Sequence, residues 1–165
     1  MTDDVFHRLA RHLDALPGGF PTTESGVELR ILRRLFTPDE AELALHLTLL
    51  AEPVRVVAHR AGLEPGVAAD RLYDMSRKGL LYRLYKREEP HYMAAQFVIG
   101  IWEFHVNDLD PDLIRDMNEY LPHLMQPEVW KKAPQLRTIP VHADVPVSHD
   151  ILPHEQAAAL VRDKR

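Results

Sequence analysis

Six cations crowd one short stretch of this chain: Arg71, Arg77, Lys78, Arg83, Lys86 and Arg87. Guanidinium and ammonium groups at this density suit phosphate oxygens, which they bind through charge-assisted hydrogen bonds. Between Pro53 and Arg87, counting Arg55 and Arg60 and subtracting Glu64, Asp70 and Asp74, the local charge is +5, although the whole chain carries −5. Two readings stay open. The cluster is a nucleic-acid footprint, or it is an ordinary solvated face. The acidic total argues against a protein that coats nucleic acid by overall attraction.

Other chemistries find less support. Ten histidines invite a metal hypothesis, but His7 and His12 lie off the i, i+4 spacing that puts two imidazoles on one helical face. His142, His149 and His154 sit in a proline-rich tail without ligand spacing. His105 follows an apolar stretch, where a hydrogen-bonded structural histidine is expected. Asp108, Asp110, Asp112, Asp116 and Glu119 match calcium-loop spacing, yet Leu113 stands where that loop needs glycine and Pro111 interrupts it. Capping and dipole effects at a helix start explain the same acids. The chain has no cysteine, which excludes disulfides, thiolate catalysis and cysteine-held zinc or iron–sulfur clusters within it. There is no G-x-S-x-G, no H-E-x-x-H and no phosphate-cradling glycine loop. We expect a protein that is not an enzyme and holds no metal or cofactor within this chain. Trp102, Trp130 and the tyrosines are expected in a core or an interface.

With 165 residues, 45% of them hydrophobic and 27% charged, the chain can bury a good core. No run approaches the roughly 18 to 20 apolar residues that span a bilayer. The start Met1-Thr2-Asp3-Asp4 lacks a secretory n-region. A cytoplasmic protein without membrane contact is the expectation.

Periodicity supplies the elements that must position the cations. Val5, Phe6, Leu9, Leu13 and Leu16 predict an amphipathic helix over residues 2–16, stopped by Pro17-Gly18-Gly19-Phe20-Pro21. A second helix, 24–36, turns Val27, Ile31, Leu32 and Leu35 inward and Arg30, Arg33 and Arg34 outward. Thr37-Pro38-Asp39-Glu40 is a capping box with proline at the first helical position. It starts a helix whose apolar face is Ala41, Leu45 and Leu49. Another helix starts at Glu52-Pro53 and ends at a left-handed Gly62. A third runs from Glu64-Pro65 to Gly79. Strand-like runs at 81–85 and 91–95 flank the charged loop 86–90. Residues 97–106 are too apolar for a free surface helix, so a core helix or a dimer seam is expected. Asp110-Pro111-Asp112 starts a helix carrying Leu113, Ile114, Met117, Tyr120 and Leu121 to about Met125. A helical turn at 128–132, extended pieces at 136–141 and a last helix from 152 onward complete the outline.

Three helices followed by a hairpin resemble a winged helix-turn-helix domain, and Met75-Ser76-Arg77-Lys78-Gly79-Leu80-Leu81-Tyr82-Arg83 resembles its helix-to-wing junction. The expected fold class is mainly α with a small β-hairpin, a winged helix-turn-helix core with N- and C-terminal helical extensions. Its parts are an N-terminal extension (1–36), the winged core (37–96), a helical pair packing on it (97–126) and a proline-rich tail with a last helix (127–165). On the third helix, Ala68, Leu72, Met75 and Gly79 should face the core. Gly66, Asp70, Tyr73, Asp74 and Arg77 lie opposite. Two carboxylates make that face a weak reader of DNA. The better-placed phosphate donors are Arg77, Lys78, Arg83, Lys86 and Arg87, with Arg71 flanking.

A wider resemblance rests on Leu16-Pro17-Gly18-Gly19-Phe20-Pro21, Glu24-Ser25-Gly26-Val27-Glu28, Gly100-Ile101-Trp102-Glu103-Phe104-His105, Asn118-Glu119-Tyr120-Leu121-Pro122 and the run from Trp130 to Val141. Together these are similar to the N-terminal half of bacterial and archaeal 4Fe-4S ferredoxin-type proteins. The resemblance implies a winged-helix half preceding cysteine-rich motifs, with 4Fe-4S clusters belonging to a longer parent protein. The chain is then either a truncation of such a parent or a stand-alone relative without the redox part, truncation being the expectation. No cluster ligand carries over onto any residue here. The implied role is regulatory or docking, with double-stranded DNA one candidate ligand. The alternatives are an accessory part of an electron-transfer protein that binds a redox partner, or a transcription regulator forming a homodimer through the first helix and residues 97–106.

Overall fold

Asp4 opens the first helix, its carboxylate accepting the Phe6 N–H at 3.4 Å. Helix α1 (Val5–Asp14) buries Phe6, Leu9, Ala10 and Leu13 as one stripe. Behind it the chain turns at the glycine pair, where the Phe20 N–H donates to Asp14 at 2.8 Å and the Gly18 N–H to Gln96 at 2.6 Å. The computed structural model describes residues 4–132, with side chains through Val129. These lie in the first of two units, Met1–Gln135, the second being Leu136–Arg165. The extended pieces and last helix expected beyond residue 132 fall outside the described residues.

Helix α2 (Val27–Leu35) starts three residues later than periodicity suggests, because Gly26 takes a left-handed φ of 67° and serves as its N-cap. Helix α3 (Pro38–Ala44) opens on the full capping box: the Thr37 N–H donates to Glu40 at 2.8 Å and the Glu40 N–H to Thr37 at 3.2 Å. Of the expected Ala41, Leu45, Leu49 face, Ala41 is buried and Leu45 packs on the core, but Leu49 is corrected. The helix stops at Ala44, the buried set is Ala41, Leu43, Ala44 and Leu47, and Leu49 lies exposed. The reason is local. Thr48 offers its carbonyl to the Ala94 N–H at 2.7 Å and its hydroxyl to the Leu50 N–H at 3.2 Å, which bends the chain toward the sheet.

That sheet has a strand the sequence reading lacks. β1 (Glu52–Pro53) pairs antiparallel with β3 (Glu89–Ala94), and β3 with β2 (Leu81–Lys86), giving the order β1-β3-β2. The hairpin register runs from Leu81 opposite Ala94 to Lys86 opposite Glu89. The expected five-residue loop shrinks to two residues, Arg87 and Glu88, both with positive φ (51° and 67°). Such a turn matches the natural twist of the strands it joins. Between β1 and β2 lie α4 (Val54–Ala61), closed by left-handed Gly62, and α5 (Pro65–Arg77), whose N-cap Glu64 accepts the Val67 N–H at 3.0 Å.

Residues 97–106 form no continuous helix. They make a turn and one helical turn, α6 (Ile101–Phe104), because the Ile101 and Trp102 N–H groups return to the carbonyls of Gln96 and Phe97. Phe97 and Ile101 are buried, whereas Ile99, Phe104 and Val106 are exposed. Helix α7 (Pro111–Leu124) packs on α2 and buries Leu113, Met117, Tyr120 and Leu124, leaving Ile114 and Leu121 exposed. Helix α8 (Pro127–Lys132) follows.

One hydrophobic core runs through α1, α2, α3, α5, the sheet and α7. The Phe20 ring sits 4.8 Å from Phe97 and 5.1 Å from Tyr120, and the Tyr120 hydroxyl donates to the Pro21 carbonyl at 3.1 Å. The protein is thus mainly helical with a small three-stranded antiparallel sheet. Helices α3, α4 and α5 with the β2–β3 wing make a winged-helix-like arrangement. No helix among the described residues is long and apolar enough to cross a membrane.

Candidate nucleic-acid interface

Helix α5 turns Ala68, Leu72 and Met75 into the core, which leaves Asp70, Tyr73, Asp74 and Arg77 outward. On the wing, one face of β2 runs from buried Leu81 to exposed Tyr85. Leu81, Arg83 and Tyr85 share one face, and Arg83 stands opposite Tyr92 in the register. The two elements meet at Arg83. Its guanidinium carbon lies 4.6 Å from the ring centre of Tyr73 on α5 and 5.8 Å from that of Tyr85 on β2. The Nη1 atom of Arg83 is buried without a hydrogen-bond partner among the described residues. Burial raises the Tyr92 phenol, and the charge of Arg83 pulls it partly back.

The six cations do not share one fate. Lys78 sits on the Glu40 carboxylate of α3, an ion pair with one half-exposed partner. Burial alone would raise that carboxyl, yet the hydrogen bonds from Lys78 and from the Thr37 backbone hold it below its ordinary range. Arg71 reaches Asp39 at 3.8 Å, across a cleft of about 130 Å³ floored by Leu43 and Met75. Lys86 donates to the Ala51 carbonyl at 3.2 Å. Arg83 is stacked. Arg77, Lys86 and Arg87 are exposed without an ion-pair partner among the described residues, Lys86 holding only the Ala51 carbonyl. The structure therefore joins Arg83 of the wing to Tyr73 of α5, leaves Arg77 at the end of α5 and Arg87 in the wing turn, and assigns Arg71 and Lys78 to acids of α3.

The outward arginines of α2 are likewise occupied. Arg30 holds Asp116 at 3.3 Å and Glu119 at 2.7 Å, Arg33 holds Asp4 at 2.8 Å, and Arg34 pairs with Asp110. These pairs account for most of the calcium-like acids. Asp110 also caps α7, accepting from the Asp112 and Leu113 N–H groups at 2.9 Å each. Among the described residues no cluster of three or more histidine and acidic side chains could hold a metal ion. His142, His149 and His154 lie outside them.

Reading the sequence by charge alone misses Tyr85 and leaves Tyr73 as one name on a helix face. The signal is present: Arg83 and Tyr85 alternate on one face of a strand, with an arginine following at 87. The chain was compared with protein-family models, curated proteins and solved structures, and none of them matches it.

Proposed function

We propose that this chain is a non-enzymatic winged-helix module that binds nucleic acid through the last turn of α5 and the wing, in a regulatory role. One observation carries the reading: Arg77 at the end of α5 and Arg87 in the wing turn stay without an ion-pair partner among the described residues, while Arg83 of the wing lies against two exposed rings, Tyr73 of α5 and Tyr85 of β2. Exposed cations of this kind bind phosphate by releasing counterions, so affinity must fall as salt rises. The test is fluorescence anisotropy of the full chain with labelled DNA across a salt series. Binding that weakens steeply with salt and is lost in Arg77→Glu/Arg87→Glu supports the reading. Absence of binding at low salt ends it.

A second reading is favoured by Asp70 and Asp74, which place carboxylates on the exposed side of α5. A protein partner with a basic surface would meet them well, and phosphate would not. Under the resemblance to 4Fe-4S ferredoxin-type proteins, that partner is a redox protein docking on the winged half of a longer chain.

A further inference from the structure

We infer that Tyr73, Arg83 and Tyr85 form a stacking platform for unpaired bases, so that the ligand class of this face is single-stranded nucleic acid. The inference rests on the nucleic-acid reading above and specifies it. Three observations carry it.

First, the rings are available. Tyr73 is 47% and Tyr85 65% exposed, and an aromatic face open to water gains by covering it with a base. Second, the ladder is held by rigid parts. Tyr73 stands on a thirteen-residue helix, and Arg83 and Tyr85 stand on a strand paired through Tyr92 and Pro90. A binding surface fixed this way loses little freedom when a ligand arrives. Arg83 meets no carboxylate among the described residues, so its charge remains for phosphate. Arg77 lies one turn beyond Tyr73 on α5 and Arg87 two residues beyond Tyr85 in the wing turn, so an exposed cation follows each ring along its own element. Charge that tracks a backbone beside rings that take bases is the pattern of single-strand binding.

Third, the acids choose between strand forms. Seating α5 in a duplex groove would bring Asp70 and Asp74 between two walls of phosphate, which repel them. A single strand laid along the wing meets Arg83, Tyr85 and Arg87, reaches Tyr73 where it touches Arg83, and does not require the α5 acids to enter a groove.

The experiment compares the full chain on a labelled oligothymidylate of about twenty nucleotides and on a duplex of equal length at the same salt. The expected result is tighter binding to the single strand. Tyr85→Ala is expected to weaken it about tenfold or more and Tyr85→Phe to leave it nearly unchanged, because stacking needs the ring and not the hydroxyl. Tyr73→Ala should act alike, with circular dichroism confirming that the helix is kept. Duplex binding equal to or tighter than single-strand binding, or single-strand binding indifferent to Tyr85→Ala, overturns the platform and leaves the broader reading standing. No binding to either probe at low salt overturns both.

Discussion

The Lys78 ammonium rests on one oxygen of Glu40, while the other oxygen of that carboxylate accepts the Thr37 N–H at 2.8 Å. One side chain thus completes the N-cap of α3 and ties it to the end of α5. Lys78 is therefore first a brace between two helices of the winged motif.

Removing that brace should show in stability. Lys78→Met is expected to cost about 1 kcal/mol, a charge-assisted bond discounted for the half-exposed lysine. Arg77→Ala, one residue away and unpaired among the described residues, should stay within about 0.5 kcal/mol. Urea denaturation of both variants checks the contrast, and equal losses would contradict it.

His12 sets an acid limit. Desolvation lowers its pKa, against a hydrogen bond to the Leu47 backbone that raises it, and the nearby charge of His46 lowers it further. Its Nε2 is buried without a partner among the described residues. The folded pKa lies below the unfolded value near 6.5, so the unfolded chain takes up the proton first. This contribution is complete above pH 6.5 and is lost as pH falls through that value toward the folded one. The urea midpoint should therefore drop on acidification from neutral pH, and His12→Gln should flatten the drop.

Two glycines with similar backbone angles should respond differently. Gly62, at φ 65°, has no atom within 4 Å of the place a methyl group would take, so Gly62→Ala incurs only the left-handed strain of about 1–2 kcal/mol. Gly79, at φ 80°, would drive a Cβ into the Cβ of Phe104. Gly79→Ala should cost more by about 1–3 kcal/mol, the usual penalty for overpacking. Thermal melts of the two variants measure the gap.

Tyr120 anchors the turn after α1. Burial pushes its phenol far up, and the negative charges of Glu28 and Asp14 add to this, so it stays a neutral donor to Pro21. Tyr120→Phe should cost about 0.5–1.5 kcal/mol for one buried hydrogen bond. Tyr120→Ala should cost about 3–5 kcal/mol by emptying the cluster with Phe20 and Phe97. A Tyr120→Phe protein as unstable as the alanine variant would show that the hydroxyl, not the ring, holds this end together.

What is legible in the sequence is what neighbours along the chain decide. The Thr37–Glu40 box, the proline starts at Pro38, Pro65 and Pro111, and the left-handed Gly62 all act within one turn, and each marks an observed boundary. β1 escapes such a reading because two residues carry no alternation, and its pairing with Tyr92 and His91 is remote in sequence. The wing turn is shorter than expected because Arg87 and Glu88 adopt positive φ without glycine or asparagine to announce it. For the candidate site, composition locates the cations but not their partners. Glu40 and Asp39 lie more than thirty residues from Lys78 and Arg71, and Tyr73 meets Arg83 only after a helix and a strand fold together.

The sheet order leaves β2 at the margin of the sheet, with β3 as its one strand neighbour among the described residues. A bare margin invites the same strand of another copy, and proteins commonly guard such margins with positive charge. Arg83, Lys86 and Arg87 are spaced along this one, so two copies approaching strand to strand would bring like charges face to face. Neutralising them would then do more than change the local charge. It would remove a guard against self-assembly.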